Sequence, residues 1–240
     1  MKILITICAR GGSKGIPKKN IRQLNNIPLI GYSINTSQKF KLLYPESDIV
    51  LSTDSLEIRE VASQLGLLTD YIRPESLATD KAGKMGVIKD VLKYQETLLN
   101  KKYDYVLDLD VTSPLRTTQD LDEALKIIND DKKALTLFSV SPAHRNPYFN
   151  MVEKKKNGYY GLIKNFDSSF LTRQSAPEVY DMNASFYFYK KSFFERDSNS
   201  CITEYSKIYE VPHTCFDLDN PIDFDFMEFL LKNNKLDFSL

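Results

Sequence analysis

The sequence predicts an α/β fold, a mostly parallel twisted sheet with helices on both faces, and three observations carry that prediction. Short β-branched apolar runs alternate with longer stretches of helical periodicity along most of the chain. The first of these runs is followed at once by glycines, as where a buried parallel strand feeds a phosphate-type loop. A length of 240 residues suits one such domain, or one domain with a subdomain.

Residues 2–8 (KILITIC) read as the first strand. LIGYSINTSQKF after Pro28 has helical spacing, and IVLS at 49–52 is the second strand. Asp54 or Ser55 can cap the next helix, whose Ile58, Val61, Ala62 and Leu65 share one face before Gly66 ends it. A helix is expected near 84–99, a strand at 103–109, a helix after Thr117-Thr118 carrying Leu121, Ala124, Leu125 and Ile128, and a strand at 134–140. From Ser141 to Met182 the rhythm breaks into Pro, Asn, Lys and aromatic residues, too long for a plain loop. The expected organisation is therefore an α/β domain over 1–140 and 183–240, with 141–182 as an inserted arm that makes a dimer contact and closes over substrate. Strands at 185–191 and 207–212 follow, and Asn220-Pro221 opens a closing helix as N-cap and first-turn proline.

Composition narrows the function classes. With 32 basic and 32 acidic residues the formal charge is zero, which disfavours a general nucleic-acid binder. The three cysteines, Cys8, Cys201 and Cys215, form no CxxC, so neither a disulfide framework nor a cysteine zinc site is expected. His144 and His213, the only histidines, are too far apart in sequence to suggest a histidine metal cluster. No signal-peptide pattern or membrane-length apolar run is seen, and a cytoplasmic protein without a membrane partner is expected. The charge is unevenly placed: no Asp or Glu precedes Glu46, whereas Asp217, Asp219, Asp223, Asp225, Glu228 and Asp237 crowd the C-terminal end.

The segment ARGGSKGIPKKN (9–20) combines backbone freedom at Gly11, Gly12 and Gly15 with cations at Arg10, Lys14, Lys18 and Lys19. Such a loop can turn N–H and ammonium groups toward a triphosphate whose leaving pyrophosphate gains charge. It is neither a Walker A loop nor GxGxxG, and composition alone leaves open a glycine-rich turn with solvated lysines. Asp217 and Asp219 alternate with Leu218, so in extended backbone both carboxylates point to one side. Two oxygen donors there suit Mg²⁺, which keeps several waters and bridges phosphate oxygens. Asp223 fits the plainer role of an acid at a helix N-terminus.

ICARGGSKGIPKKNI, followed in order by STDS (52–55), RPESLATD (73–80), TSPLR (112–116), RQSAPEVYDMNASFY (173–187) and DLDNPIDF (217–224), resembles the CMP-sialic acid synthetase family, the acylneuraminate cytidylyltransferases. HRNPYFNMVE (144–153) with TRQSAPEVYDMNAS (172–185) is most similar to the branch that activates legionaminic acid. The resemblance implies a Rossmann-like nucleotidyltransferase fold, a homodimer, and transfer of CMP from CTP to the anomeric hydroxyl of a nine-carbon acidic sugar. It implies that Arg10, Gly11, Ser13, Lys19 and Asn20 meet the nucleotide and its phosphates, and that Arg73, Ala78 and Asp80 face the cytosine. Arg10, Lys19, Asp217 and Asp219 form the implied catalytic set, with Mg²⁺ on the two aspartates. Arg173, Asn183 and Tyr187 belong to the sugar end, with Ser113 and Arg116 shaping the loop beneath.

Asp110-Val111 departs from the Gln-Pro pair that many sialate-activating relatives carry before TSPLR. A carboxylate accepts where an amide can also donate, so Asp110 points away from N-acetylneuraminate and toward a sugar with changed amino or hydroxyl substituents. N-acetylneuraminate, pseudaminate and the eight-carbon Kdo remain the alternative substrates. The rival of another class is a metal-dependent glycosyltransferase with a nucleotide-sugar donor, resting on Asp108-Leu109-Asp110 after a strand.

Overall fold

The computed structural model describes residues 1–12, 15–164, 172–196 and 198–240, with Arg173 described by its backbone only. Ten strands and five α-helices lie in the described residues: β1 (Ile3–Cys8), β2 (Gln23–Leu24), β3 (Ile27–Pro28), α1 (Leu29–Leu43), β4 (Asp48–Ser52), α2 (Leu56–Gln64), α3 (Lys84–Leu99), β5 (Tyr105–Leu109), α4 (Thr118–Asp130), β6 (Thr136–Pro142), β7 (Val152–Lys154), β8 (Tyr160–Leu162), β9 (Tyr180–Lys190), β10 (Ser206–Glu210) and α5 (Pro221–Lys232). Six strands form one sheet in the order β10-β6-β9-β5-β1-β4. Neighbours are parallel except at β9, which runs antiparallel to both β5 and β6.

Burial on both faces explains the unbroken apolar sequence of β1, because side chains alternate across a strand. Ile3, Ile5 and Ile7 join the larger core with residues of α1, α2, α4 and α5, while Leu4 joins the smaller core with Ile88, Val91 and Leu92 of α3. Local chemistry sets the helix ends. Ser55 Oγ accepts from the Ile58 N–H at the start of α2, and Gly66 adopts φ +81° just beyond its end. Capping boxes open α4 (Thr117 with Asp120) and α5 (Asn220 with Asp223, Pro221 following).

Two differences from expectation concern the sheet. The strand expected at 185–191 begins at Tyr180, and it enters between β5 and β6 against the direction of its neighbours. Periodicity reports burial and carries no strand direction, so the sequence could not reveal this. Its register against β6 shifts between Phe138 and Val140, where the non-glycine Ala184 takes φ +58°. This bulge bends β9 and turns Asn183 inward, a common device beside functional sites. The segment between β6 and β9 carries the β7–β8 hairpin, with Val152, Tyr159 and Tyr160 exposed.

Candidate active site

The C-terminal ends of the parallel strands β1, β4 and β5 lie side by side, the position where open α/β sheets take their ligands. Three loops leave from these ends: 9–20 after β1, 53–55 after β4 and 110–117 after β5.

The glycine loop is drawn onto the sheet edge by backbone bonds. The Gly11 N–H donates to Asp54 Oδ1 at 2.9 Å, and Asn20 Nδ2 donates to the Arg10 carbonyl at 2.9 Å. Lys18, a non-glycine residue at φ 51°, turns the chain just before Lys19, whose Nζ donates to the Leu218 carbonyl at 2.6 Å. A Cβ on Gly15 would stand 2.7 Å from the Asp219 carbonyl oxygen, so only glycine permits this approach. Residues about 200 positions apart are thus brought together, Gly15 and Lys19 with the Asp217–Asp219 loop. Ser13 lies outside the described residues.

The acidic loop is pinned from below, where Leu218 is buried and its N–H donates to the Thr112 carbonyl at 2.9 Å. Asp217 Oδ1 is buried without a partner. Burial pushes the Asp217 carboxyl upward, and the neighbouring Asp110 and Asp219 carboxylates add to this against Thr112 and Lys19. No cluster of three or more metal-ligating side chains occurs among the described residues. An under-neutralised pair of carboxylates beside a cationic glycine loop fits Mg²⁺, which takes few protein ligands and completes its shell with water and phosphate.

Beside the glycine loop lies a cavity of about 250 Å³ lined by Arg10, Arg73, Thr79, Asp80, Lys84 and Asp110, among others. Arg10 Nη1 is 2.7 Å from Asp80 Oδ1, which joins two residues expected in the nucleotide set. Arg73 is buried, and its Nε and Nη2 donate to Ser52 Oγ (3.0 Å) and the Ser52 carbonyl (2.8 Å), tying the cavity wall to the end of β4. Ala78 lies between the lining residues Leu77 and Thr79, at the close of the 3₁₀ turn Glu75–Leu77.

The sugar set divides. Asp110 lines the cavity, and Tyr187 lies under Lys84, 5.0 Å from its Nζ to the ring centroid. Asn183 is buried under the bulge, where its Oδ1 accepts from Ser139 Oγ at 2.6 Å and its Nδ2 donates to Ser141 Oγ at 3.0 Å. Ser113 and Arg116 are buried at 0% and 1% exposure. Arg116 Nη1 donates to the Ser113 and Ser185 carbonyls, and Nη2 to Ser33 Oγ and the Asp110 carbonyl. Both residues lie beneath the sugar end as the resemblance implies, and a guanidinium with both Nη groups held by internal acceptors supports the loop there. Of Arg173 the structure gives only its place in the 3₁₀ turn Arg173–Ser175.

Sequence reasoning missed the partnership of Lys84 with Asp108 and Asp110. Lys84 Nζ is 2.7 Å from Asp108 Oδ2 and 2.7 Å from Asp110 Oδ2, and Thr6 Oγ1 donates to Asp108 Oδ1 at 2.8 Å. Burial opposes the charge of Lys84, but the two carboxylates hold its pKa well above the ordinary value. Burial likewise opposes the charge of Asp110, yet Lys84 and Thr112 hold its carboxyl down to about 2. Asp108 is wholly buried and ion-paired, so Asp108-Leu109-Asp110 is not an open metal-binding pair of the kind the glycosyltransferase reading needs. A carboxylate inside a buried strand was the available signal, since it demands a counter-ion.

No helix among the described residues is long and apolar enough to cross a membrane, and all three cysteines are free.

Comparison with known proteins places the chain among relatives. The CMP-N,N'-diacetyllegionaminic acid synthase of Campylobacter jejuni is 39% identical, over 98% of this chain and 97% of its own. The post-translational flagellin modification protein B of Campylobacter coli is 38% identical over the same shares. In fold, the chain is similar to a CMP:2-keto-3-deoxy-manno-octonic acid synthetase solved with CTP, at a TM-score of 0.69 and 14% identity, covering 98% of this chain and 100% of that one. A cytidylyltransferase family model matches residues 4–238, nearly the whole chain, and the protein belongs to that family.

Proposed function

We propose that this chain transfers CMP from CTP to the anomeric hydroxyl of a nonulosonic acid, N,N'-diacetyllegionaminic acid, with release of pyrophosphate. The observation that carries the proposal is the meeting of the glycine loop with the Asp217–Asp219 loop, through Lys19 Nζ on the Leu218 carbonyl, beside a cavity walled by Arg73 and Asp80. The sugar is taken from the legionaminate-synthase relative, which spans nearly the same length.

In this reading Arg10 and Lys19 receive the β- and γ-phosphates and stabilise the charge that grows on departing pyrophosphate. Lys19 commits one N–H to Leu218, which aims the ammonium while leaving other donors for phosphate. Arg73 and the backbone of 77–80 enclose the cytosine, where a short wall excludes a purine by size. Asp217 and Asp219 are the residues that would hold Mg²⁺, which when bound neutralises phosphate charge and acidifies a coordinated hydroxyl. The sugar hydroxyl then attacks the α-phosphorus in line, so positioning and charge stabilisation supply most of the rate.

The exposed aromatic hairpin, with Tyr159 at 76% and Tyr160 at 70% exposure, supports a homodimer in which the 141–182 arm of one copy closes over the site of the other. A cytosolic pool of CTP is the natural donor, which supports a cytoplasmic location. The deciding experiment is pyrophosphate release from CTP and Mg²⁺ with legionaminate, N-acetylneuraminate, pseudaminate and Kdo in parallel. Turnover highest with legionaminate, and with CTP far above UTP or ATP, is expected; no release with any sugar from folded protein overturns the reading.

A further inference from the structure

Lys84 opens α3, and its side chain retains 36% exposure, whereas Asp108 retains 0% and Asp110 23%. The ammonium and Asp110 therefore line the cavity while Asp108 anchors them from the sheet. The ammonium donates to Asp110 Oδ2 and forms an ion pair with Asp108 Oδ2, and the Tyr187 ring lies beneath. Asp110 Oδ1 accepts from the Thr112 N–H and Oγ1, both at 3.0 Å, while Oδ2 meets Lys84. The carboxylate is thus fixed at both oxygens, and its remaining lone pairs can only accept.

Hydrogen-bond direction decides what this group can bind. The charges of Lys84 and of Arg116, whose Nη2 donates to the Asp110 carbonyl, match those of Asp108 and Asp110, so no net charge is left to draw an ion, and the Asp110 carboxylate can only accept. A neutral O–H or N–H donor is what the group can take, and the hydroxyl and acylamino groups of an acidic sugar offer several.

Resting on the CMP-transfer reading above, we propose that Lys84 is a specificity-determining positioning residue that locks Asp110 as an acceptor, so that the sugar must present an O–H or N–H donor there. Asp110 makes the contact, and Lys84 acts through it.

The test is steady-state kinetics of the wild-type chain, Lys84→Arg and Lys84→Met, with CTP and the sugar varied separately and melting temperature recorded. Lys84→Met leaves two buried carboxylates unpaired, so Lys84→Arg, which keeps the charge but cannot place one nitrogen between them, decides the outcome if the other variant does not fold. Lys84→Arg is expected to raise the KM of the sugar about tenfold or more, with the KM of CTP within about twofold, because a hydrogen bond to a misdirected carboxylate is lost. An unchanged sugar KM with only a lower melting temperature, or a rise confined to the KM of CTP, overturns the inference. A wild-type chain that turns over no sugar overturns the functional reading and this inference together.

Discussion

Gly15 approaches the carbonyl oxygen of Asp219 so closely that a Cβ on the glycine would stand 2.7 Å from it. Backbone on backbone leaves no flexible side chain to yield, so Gly15→Ala must push the glycine loop off the acidic loop. A stability loss of about 1–3 kcal/mol is expected, typical of overpacking. Turnover is expected to fall by about 100-fold, since a displacement near 1 Å between reacting groups has that effect. Thermal melting and pyrophosphate release measure the two separately. Normal turnover would mean that the loops need not meet.

Asp217 and Asp219 differ in what surrounds them, and the difference predicts opposite effects on stability and activity. Asp217 Oδ1 is buried without a partner, while Asp219 is exposed. Asp217→Asn removes a buried charge among like charges, so the metal-free chain should melt at the same or a higher temperature. Its Mg²⁺-dependent turnover should nonetheless fall by about 100-fold or more, in keeping with loss of a metal-held charge. Asp219→Asn should leave melting unchanged and raise the Mg²⁺ concentration needed for half-maximal rate. A Mg²⁺ titration identical to wild type in both variants would remove the pair from the metal site.

The packing of His213 makes a pH-dependent prediction. Its Nε2 lies 2.9 Å from Asp120 Oδ2, its ring stacks on Phe238 at 3.6 Å, and Tyr209 donates to both Asp120 and Glu123. Burial opposes the imidazolium, but the Asp120 hydrogen bond prevails and raises the His213 pKa, with Asp237 contributing in the same direction. Asp120 is lowered by the same pair, against its own burial. A raised folded pKa gives stability that is full below the unfolded value, about 6.5 for histidine, and is lost as pH climbs through the folded value. The lowered Asp120 gives stability that is full above about pH 4 and is lost in acid. Urea midpoints of wild type minus His213→Gln should therefore differ most between about pH 4 and 6.5 and converge as pH rises through the raised folded value, leaving only the stacking contribution. A difference that is flat with pH would mean the pair is neutral throughout.

How much of this was legible in the sequence depends on how local the signal was. Helix ends at Ser55, Gly66, Thr117 and Asn220 were readable or nearly so, because caps and breakers act within a few residues. The direction of β9 was not, since antiparallel entry into a parallel sheet depends on partners far away in sequence. The order of motifs grouped Arg10 and Lys19 with Asp217 and Asp219, and the structure joins the glycine loop to the acidic loop through Gly15 and Lys19. Asp110 and Arg116 stand six residues apart, yet only burial distinguishes Arg116, which supports the loop, from Asp110, which lines the cavity. Lys84 escaped notice because an ammonium at a helix start reads as solvated until the sheet sets Asp108 and Asp110 opposite it.

Arg73 offers the most direct test of where the base lies. Its Nε and Nη2 are spent on Ser52 at the end of β4, and the residue is buried at 6% exposure while still lining the cavity. The fixed guanidinium therefore offers its remaining edge to whatever occupies the cavity, at no further cost in side-chain ordering. Arg73→Ala removes that edge and also releases the loop at residue 73 from β4, whereas Arg73→Lys keeps a charge but cannot reach both Ser52 acceptors and the ligand. Both variants should raise the KM of CTP about tenfold or more and leave the KM of the sugar within about twofold, the magnitude expected for one charged hydrogen bond. Discrimination between CTP and UTP should narrow in the same variants, because the two bases differ in the donor and acceptor groups that a fixed guanidinium and backbone can distinguish. If instead the sugar KM rises and the CTP KM does not, the Arg73 end of the cavity holds the acceptor and the base lies elsewhere along the strand ends.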